Sequence, residues 1–440
     1  MWHLSHAFRD TLGYLSQLAH EGPFATIRPG RTYLVNDPDY IQHVLQENHQ
    51  NYRKGERYRR AMWPLVGNGL PNSEGDFWKR QRRMIQPAFL RKHHEKYAAA
   101  IVDRSESVIA SWRRKAAAGT PIDVRPEVMH LTLGSLLRTV FGCDADADVG
   151  PVGDAFLTIQ HQINLVDAFS PVRLPESVPT PRRRRVQAAR AVIDPFIERI
   201  ISDRRRSGPN EDDLASLLVY ARDEDGKAMS DGQLRDEIMT IVATGHDSVT
   251  EGLTWAFYLL GRHPEVLRKL EAEVLAVIPH EKPSVETLRR LPYTTMVMQE
   301  TMRVYPPIWG LMRVAIDRDT IGGHSIPAGA NVLMSPYAVQ RLPHLWPEPG
   351  RFIPERFDPE ARASRHRFSW FPFGGGPRQC IGGSFAMLEM PVALAMLVAA
   401  FEFELIVTEP VRAIPRVTLK PEHPILVRLR ERGAARRAGV

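Results

Sequence analysis

From Gly75 to about residue 310 the apolar positions follow a helical pattern. The pattern breaks where Gly and Pro gather, at Gly119–Pro121, Gly142–Pro151, Pro171–Pro181, Gly208–Asp213 and Pro279–Ser284. Ahead of this stretch, Phe24 to Asn36 reads as a small hairpin around Pro29-Gly30. Asp37 then caps a short helix through Leu45, with Pro38 in its first position. Beyond it, residues 312–340 hold short β-like runs around Gly322-Gly323 and Pro327-Ala328-Gly329. Residues 341–379 are Pro-rich and irregular, too long to be an idle connection. A helix is predicted from Gly383 to about Phe401, and two short strands end the chain. With no repeat and no linker, residues 1–440 read as one large, mainly α domain with small peripheral sheets.

One predicted helix stands out. Leu234 to Gly261 is 28 residues without proline, a helix of about 42 Å and long enough to cross a domain. At its middle lies Ala243-Thr244-Gly245-His246-Asp247-Ser248-Val249-Thr250. A mid-helix glycine costs about 1 kcal/mol against alanine, and Ser and Thr bond back to the i−4 carbonyl and bend the helix. A weakened polar centre among Ile241, Val242, Leu253 and Trp255 suggests a groove over a ligand. A helix with a plain polar face fits the same pattern equally well.

Composition excludes several classes. Only Cys143 and Cys380 are present, so no disulfide framework is indicated and a reducing cytoplasm is the expected setting. Cys143 has no motif around it and reads as structural. Met1 to Asp10 is too polar for a signal peptide or a spanning helix, and the apolar run Met390–Phe401 is too short to cross a bilayer. No membrane anchor is expected. The net charge of +7 raises nucleic acid as a partner. However, the excess is concentrated in Arg182–Arg185 and in a tail, 428–440, that reads as a frayed end. No nucleic-acid motif accompanies it.

The most specific chemistry lies in Phe373-Gly374-Gly375-Gly376-Pro377-Arg378-Gln379-Cys380-Ile381-Gly382. No second Cys or His stands at zinc-ligand spacing from Cys380. A lone thiolate can instead be the axial ligand of a haem iron. Glycines at 374, 375, 376 and 382 permit close approaches that a Cβ would block. Backbone N–H groups in such a turn keep a sulfur ionised. Arg378 offers a planar fork for a carboxylate such as a haem propionate, and Phe373 can shield the sulfur from water. Taken alone, a lone cysteine in a turn is more often a buried structural residue.

The pattern F-x-x-G-x-R-x-C-x-G resembles the haem-binding loop of the cytochrome P450 family, and four further motifs resemble that family in order. Trp78 and Arg82 fall on its W-x-x-x-R helix; Gly245, Asp247 and Ser248 fall on its central-helix pattern. Glu300 and Arg303 form its E-x-x-R, and Pro354-Glu355-Arg356-Phe357 matches its P-E-R-F-like segment. The resemblance spans roughly Phe8 to Val427. It implies a mostly α fold with haem b between the central helix and the Cys380 loop. Cys380 would be the iron ligand, with Phe373, Gly376 and Gly382 shaping the loop. Trp78, Arg82, Arg378 and Arg313 would stand around the propionates. Asp247 and Ser248 would deliver protons during dioxygen activation. Ser248 stands where Thr is usual and Thr244 where Ala or Gly is common. Glu300, Arg303 and Arg356 would form a buried structural network, although E-x-x-R by itself is an ordinary surface pair worth well under ~1 kcal/mol.

By the same analogy the pocket is formed by the loop Tyr58–Pro71, Val166–Pro181, Ala243, Thr244, Ile308–Leu311 with Trp309, and Ile414–Val417. Arg53, Lys54, Arg57 and Arg59 would either catch a substrate carboxylate or form a solvated loop. From the residues themselves, Arg80 and Arg83 with Arg91, Lys92 and Lys96 would form either a basic docking patch for an acidic electron donor or a solvated helix face. The implied activity is insertion of one oxygen atom from O2 into a lipophilic molecule of terpenoid, fatty acid, steroid or polyketide type. No nucleotide loop, flavin segment or iron–sulfur cysteine cluster is present, so electrons would come from a separate ferredoxin and its reductase, or a flavodoxin-type donor, to a monomer. A peroxide-driven peroxygenase and a haem-based sensor are the alternative readings.

Overall fold

The central helix runs from Asp231 to Arg262, 32 residues capped by the Ser230 side chain, which accepts from the N–H of Gln233. It is the spine of a computed structural model that describes residues 10–141, 146–163, 180–210, 214–278, 283–407 and 409–433. Almost every residue from Ile238 to Leu260 is buried, because the helices Val124–Phe141, Pro292–Val304 and Gly383–Ala400 pack around it. A helix surrounded on all sides needs apolar residues on all sides, and its neighbour Gly383–Ala400 is the extreme case. Among the described residues this is the one helix long and apolar enough to cross a bilayer; here Leu388, Leu394, Leu397 and Val398 are buried in the protein core. One apolar core extends from Leu12 to Leu429.

Among the described residues, twelve short strands sit at the periphery: β1 (Phe24–Arg28), β2 (Thr32–Val35), β3 (Tyr52–Arg53), β4 (Ile122–Asp123), β5 (Leu311–Ala315), β6 (Asp319–Ile321), β7 (His324–Ile326), β8 (Asn331–Met334), β9 (Phe401–Leu405), β10 (Ala413–Pro415), β11 (Leu419–Pro421) and β12 (Leu426–Glu431). They form a five-stranded sheet in the order β1-β2-β8-β5-β3, a three-stranded sheet β4-β12-β9, and the hairpins β6-β7 and β10-β11. The hairpin read at Phe24–Asn36 is β1-β2, antiparallel with Phe24 opposite Val35. Asp37 caps the helix Pro38–Gln42 by accepting from the N–H groups of Asp39 and Tyr40.

Three expectations need correction. The helix Asp146–Gln162 passes through Pro151, an exposed position where the ring forfeits one backbone bond. Among the described residues four strands, not two, follow the helix Gly383–Ala400, because Pro415 and Pro421 disguise the short β10-β11 hairpin. The basic tail does not fray from residue 428: Arg428 and Arg430 lie in β12 and pair with Glu404 and Glu402 on β9, while Arg432 pairs with Glu271. Cross-strand charge pairing absorbs that basicity. Cys143 lies outside the described residues, as does most of Val166–Pro181.

The apolar helix carries one ionisable group. Glu389 is fully buried and accepts a hydrogen bond from Ser135, and burial pushes its carboxyl up to about 8 despite that bond. The folded state therefore holds a proton that the unfolded chain releases near its ordinary 4.5. Stability contributed this way falls as pH rises from about 4.5 toward 8. Glu389→Gln is expected to flatten that decline, measured as denaturant midpoints across the window; an unchanged slope would show that Glu389 does not titrate there.

Candidate active site

The Cys380 loop is held by its own backbone. The N–H of Cys380 donates to Phe373 O at 2.9 Å, that of Gln379 to Gly376 O at 3.0 Å, and that of Gly374 to Phe371 O at 2.9 Å. Gly376 has φ +65°, and a Cβ there would fall 1.9 Å from the carbonyl oxygen of Leu45. Both the left-handed backbone and the close approach require glycine. Cys380 opens onto a concavity of about 670 Å³ lined in part by Trp78, Arg82, Phe89, Gln379 and Ile381. Although the sulfur is open to this concavity, the protein packed around the loop strips it of much of its water and pushes the thiol up. The N–H of Gly382, the Arg82 guanidinium and the N–H of Gly383 oppose that and favour the thiolate.

The middle turn of the central helix is partly open. Thr244, Gly245 and Ser248 present surface while Ala243, His246, Asp247 and Val249 are buried. Both hydroxyls bond back one turn, Thr244 to Thr240 O at 2.8 Å and Ser248 to Thr244 O at 3.3 Å. Asp247 leaves the helix in another direction. Its carboxylate accepts from Thr418 at 2.7 Å and from Lys420 at 3.3 Å, with Arg125 at 3.7 Å. Burial alone would raise its pKa; Lys420, His246, Arg125 and the Thr418 hydroxyl outweigh that and hold it below the ordinary value. The structure does not bring the Asp247 carboxylate to the Ser248 hydroxyl.

A crowd of cations stands beside the loop. Arg378 donates to Ser73 O at 2.9 Å, pairs with Glu74 and stacks 4.2 Å over the Trp78 ring. Arg82 lies 5.9 Å from the same ring and donates to Gln379 O at 2.9 Å. Arg313 is 9% exposed. Lys54 and Arg59, which the sequence grouped with Arg53 and Arg57, turn inward to Pro71 O and Asn72 O, while Arg53 and Arg57 stay exposed. Burial, Arg313, Arg378 and Arg59 drive the Lys54 ammonium well below its usual range, against the pull of Glu74. Arg378 falls to about 10, first from burial and then from Arg313, Arg82 and Arg59, again against Glu74. Lys54, Arg59, Arg313 and Arg378 thus crowd around the single carboxylate of Glu74. This is an uncompensated charge suited to a ligand with two carboxylates. Together with the open cysteine and the partly open helix turn, it fits a haem and its propionates.

The remaining predicted residues separate into supports and surface. Glu300 and Arg303 are both 0% exposed and joined by bonds of 2.7 and 2.8 Å; Arg356 lies 3.4 Å from Glu300. Arg303 also donates to the carbonyls of Gln340, Pro349 and Arg351. The surface value for such a pair does not apply here. Trp309 is buried and its indole N–H donates to Arg416 O at 2.8 Å, while Ile308 is half-buried. The loop before Pro71 is fastened to the central helix, with the N–H of Asn68 on Asp236 and that of Leu70 on Glu237. Of the five cations grouped as a docking patch or a solvated face, Arg80 and Arg83 pair with Asp223 and Glu224, whereas Arg91 and Lys92 are exposed.

A cysteine loop of this form and a buried cation crowd beside it are the features expected of the haem-thiolate class. The Cytochrome P450 family model matches residues 3–429, and the chain belongs to that family. Cyclooctatin synthase of Streptomyces melanosporofaciens is 34% identical over 93% of this chain and 89% of its own. Pentalenene oxygenase of Streptomyces avermitilis is 31% identical, over 97% and 94%. Among solved structures, the crystal structure of the cytochrome P450DA heme domain matches with a TM-score of 0.87 at 26% identity, covering 97% of this chain and 95% of that one. The protein is a cytochrome P450 monooxygenase, an enzyme class that uses haem, O2 and redox partners on lipophilic substrates.

Proposed function

We propose that this enzyme oxygenates a terpenoid-type small molecule, with Cys380 ligating haem b and electrons arriving from a separate ferredoxin-type donor. The observation that carries the assignment is the Cys380 loop, with glycine N–H groups and Arg82 aimed at its sulfur, beside a buried cation crowd centred on Glu74. Relatives named for cyclooctatin, cyclooctat-9-en-7-ol and pentalenene support the substrate class. Bound there, a haem supplies the activation of O2 for insertion of one oxygen atom into a C–H or C=C bond, the other oxygen leaving as water. The chain's residues do the rest. Lys54, Arg59, Arg313, Arg378 and Trp78 orient the carboxylates. Phe373 shields the sulfur. Ala243, Ile308 and Trp309 exclude water. The Ser248 hydroxyl holds a proton at Oγ while bonded to Thr244 O. The exposed Arg91 and Lys92, near the cysteine concavity, suit an acidic electron donor.

The test is the carbon monoxide spectrum of the reduced protein, followed by turnover of terpenoid hydrocarbons with a ferredoxin and its reductase. A strongly red-shifted Soret band with an oxygenated product is expected. Equal rates with hydrogen peroxide alone would replace the monooxygenase cycle by a peroxygenase. Ser248→Ala is expected to keep that spectrum and to lower product per NAD(P)H by about a hundredfold, the smaller end of what a positioned proton donor contributes. Unchanged coupling would mean that another hydroxyl or a water carries the proton.

A further inference from the structure

The opened turn of the central helix carries two hydroxyls in different states. Thr244 donates to Thr240 O at 2.8 Å, and Ser248 donates to Thr244 O at 3.3 Å. The first bond is the shorter. Thr244 is also β-branched and stiff at χ1, whereas Ser248 turns freely. Thr244 therefore keeps its proton on the backbone, and Ser248 can release its own. With that proton committed, Thr244 Oγ1 has only lone pairs left to offer. The residue is exposed in the open turn, so these lone pairs meet whatever fills the groove. Thr244 is a fixed acceptor that cannot donate without breaking its bond to Thr240.

The residues read as its pocket companions are apolar or already committed. Ala243, Ile308 and Leu311 bring no polar side-chain atom. The Trp309 indole only donates, and its N–H is spent on Arg416 O at 2.8 Å. Glu237 and Thr240 share the same face of the helix, two turns and one turn before Thr244. Both are buried and fasten the loop before Pro71: Glu237 accepts from the Leu70 N–H at 3.0 Å, and Thr240 donates to Val66 O at 3.2 Å. Gly245, the next residue, packs toward Leu136 instead. A hydrocarbon pressed against Thr244 strips water from its lone pairs and returns nothing. A hydroxyl on the substrate replaces that water with a hydrogen bond. An ether or ketone oxygen has no proton to give and gains nothing there. Thr244 and Ser248 are four residues apart, ~6 Å along the helix, so a hydroxyl held at Thr244 lies one turn from the group that handles protons.

We propose that Thr244 is a specificity-determining residue that accepts a hydrogen bond from a hydroxyl already present on the substrate. The enzyme then acts on a terpenoid alcohol, and its product carries one oxygen more. The reaction that supplies this substrate is one that sets a hydroxyl on the skeleton, either an earlier oxygenation or a cyclisation ended by capture of water. The inference rests on the terpenoid reading and narrows it.

The test uses the haem-loaded parent with Thr244→Val, Thr244→Ala and Thr244→Ser, after the reduced carbon monoxide spectrum of each is recorded. Each protein is titrated, by the spin shift of the haem, with matched sets of a terpenoid alcohol, its methyl ether and the parent hydrocarbon; cedrol, cedryl methyl ether and cedrane form one set. In the parent the alcohol is expected to bind about three- to tenfold tighter than the other two forms, the range for one hydrogen bond. That ratio is expected to fall to about one in Thr244→Val, which keeps the shape and loses the hydroxyl, and to stay near the parental value in Thr244→Ser. Should Thr244→Val not load haem, Thr244→Ala carries the comparison. Equal binding of all three forms by the parent overturns the inference. An ether that binds as tightly as its alcohol also overturns it, because Thr244 is then the donor. A preference that survives in both Thr244→Val and Thr244→Ala overturns it as well, and an equal loss of product per NAD(P)H for all forms then assigns Thr244 to the relay with Ser248. Failure of every set to bind to an enzyme with an intact thiolate spectrum overturns the terpenoid reading and this inference with it. Absence of that spectrum in the parent overturns the haem-thiolate assignment instead.

Discussion

Cys380→Ala is expected to yield a folded protein with no red-shifted carbon monoxide band and with turnover at background. The loop does not depend on the sulfur for its shape. The N–H of Cys380 bonds Phe373 O, and Gly374 and Gly376 supply the left-handed angles; alanine keeps all of these. What alanine removes is the one atom toward which the N–H groups of Gly382 and Gly383 and the Arg82 guanidinium converge. A structural cysteine would behave oppositely, losing stability and keeping chemistry. Circular dichroism with the reduced carbon monoxide spectrum separates the two. A variant that retains the red-shifted band would remove Cys380 as the ligand.

Glu300→Ala is expected to cost about 3–5 kcal/mol, the range for breaking a buried ion pair from one side. That is a large share of a typical total of about 5–15 kcal/mol. Arg303 is 0% exposed, and the carbonyls of Gln340, Pro349 and Arg351 satisfy its N–H groups without neutralising its charge. The same substitution strips the N–H of Ile353 of its acceptor, 3.0 Å away, and leaves Arg356 without its nearest carboxylate. Arg303→Lys is expected to fail similarly, because an ammonium cannot span two carboxylate oxygens and three carbonyls as the guanidinium fork does. Denaturant midpoints at constant m measure the loss. A cost under about 1 kcal/mol would return the pair to the class of surface ion pairs.

Elements whose determinants lie within one turn or one hairpin could be read directly. The central helix, the β1-β2 hairpin, the Asp37 cap and the Cys380 turn depend on spacing, proline and glycine within about ten residues. Glu300 and Arg303 share a face because they are three apart, and Trp78 and Arg82 meet around one ring because they are four apart. Resemblance to a family added roles to these positions and an expectation of burial for Glu300.

Other features depended on partners far along the chain. Lys54 and Arg59 face inward while Arg53 and Arg57 do not, a division that packing against residues 71–74 makes among four similar cations. Arg80 and Arg83 meet Asp223 and Glu224, and Arg428 and Arg430 meet the glutamates of β9. Asp247 and Ser248 are neighbours in sequence, yet one faces the groove and the other meets Lys420, 173 residues away. Sequence by itself determined the family, the helical frame and the glycine-rich cysteine loop, because backbone geometry and short-range spacing specify them. Tertiary structure alone decided which charges are paired, which are left crowded around Glu74, and which way Asp247 turns. A charged side chain's state is set by the opposite charges and the burial that the packed chain brings to it, and no local pattern encodes either.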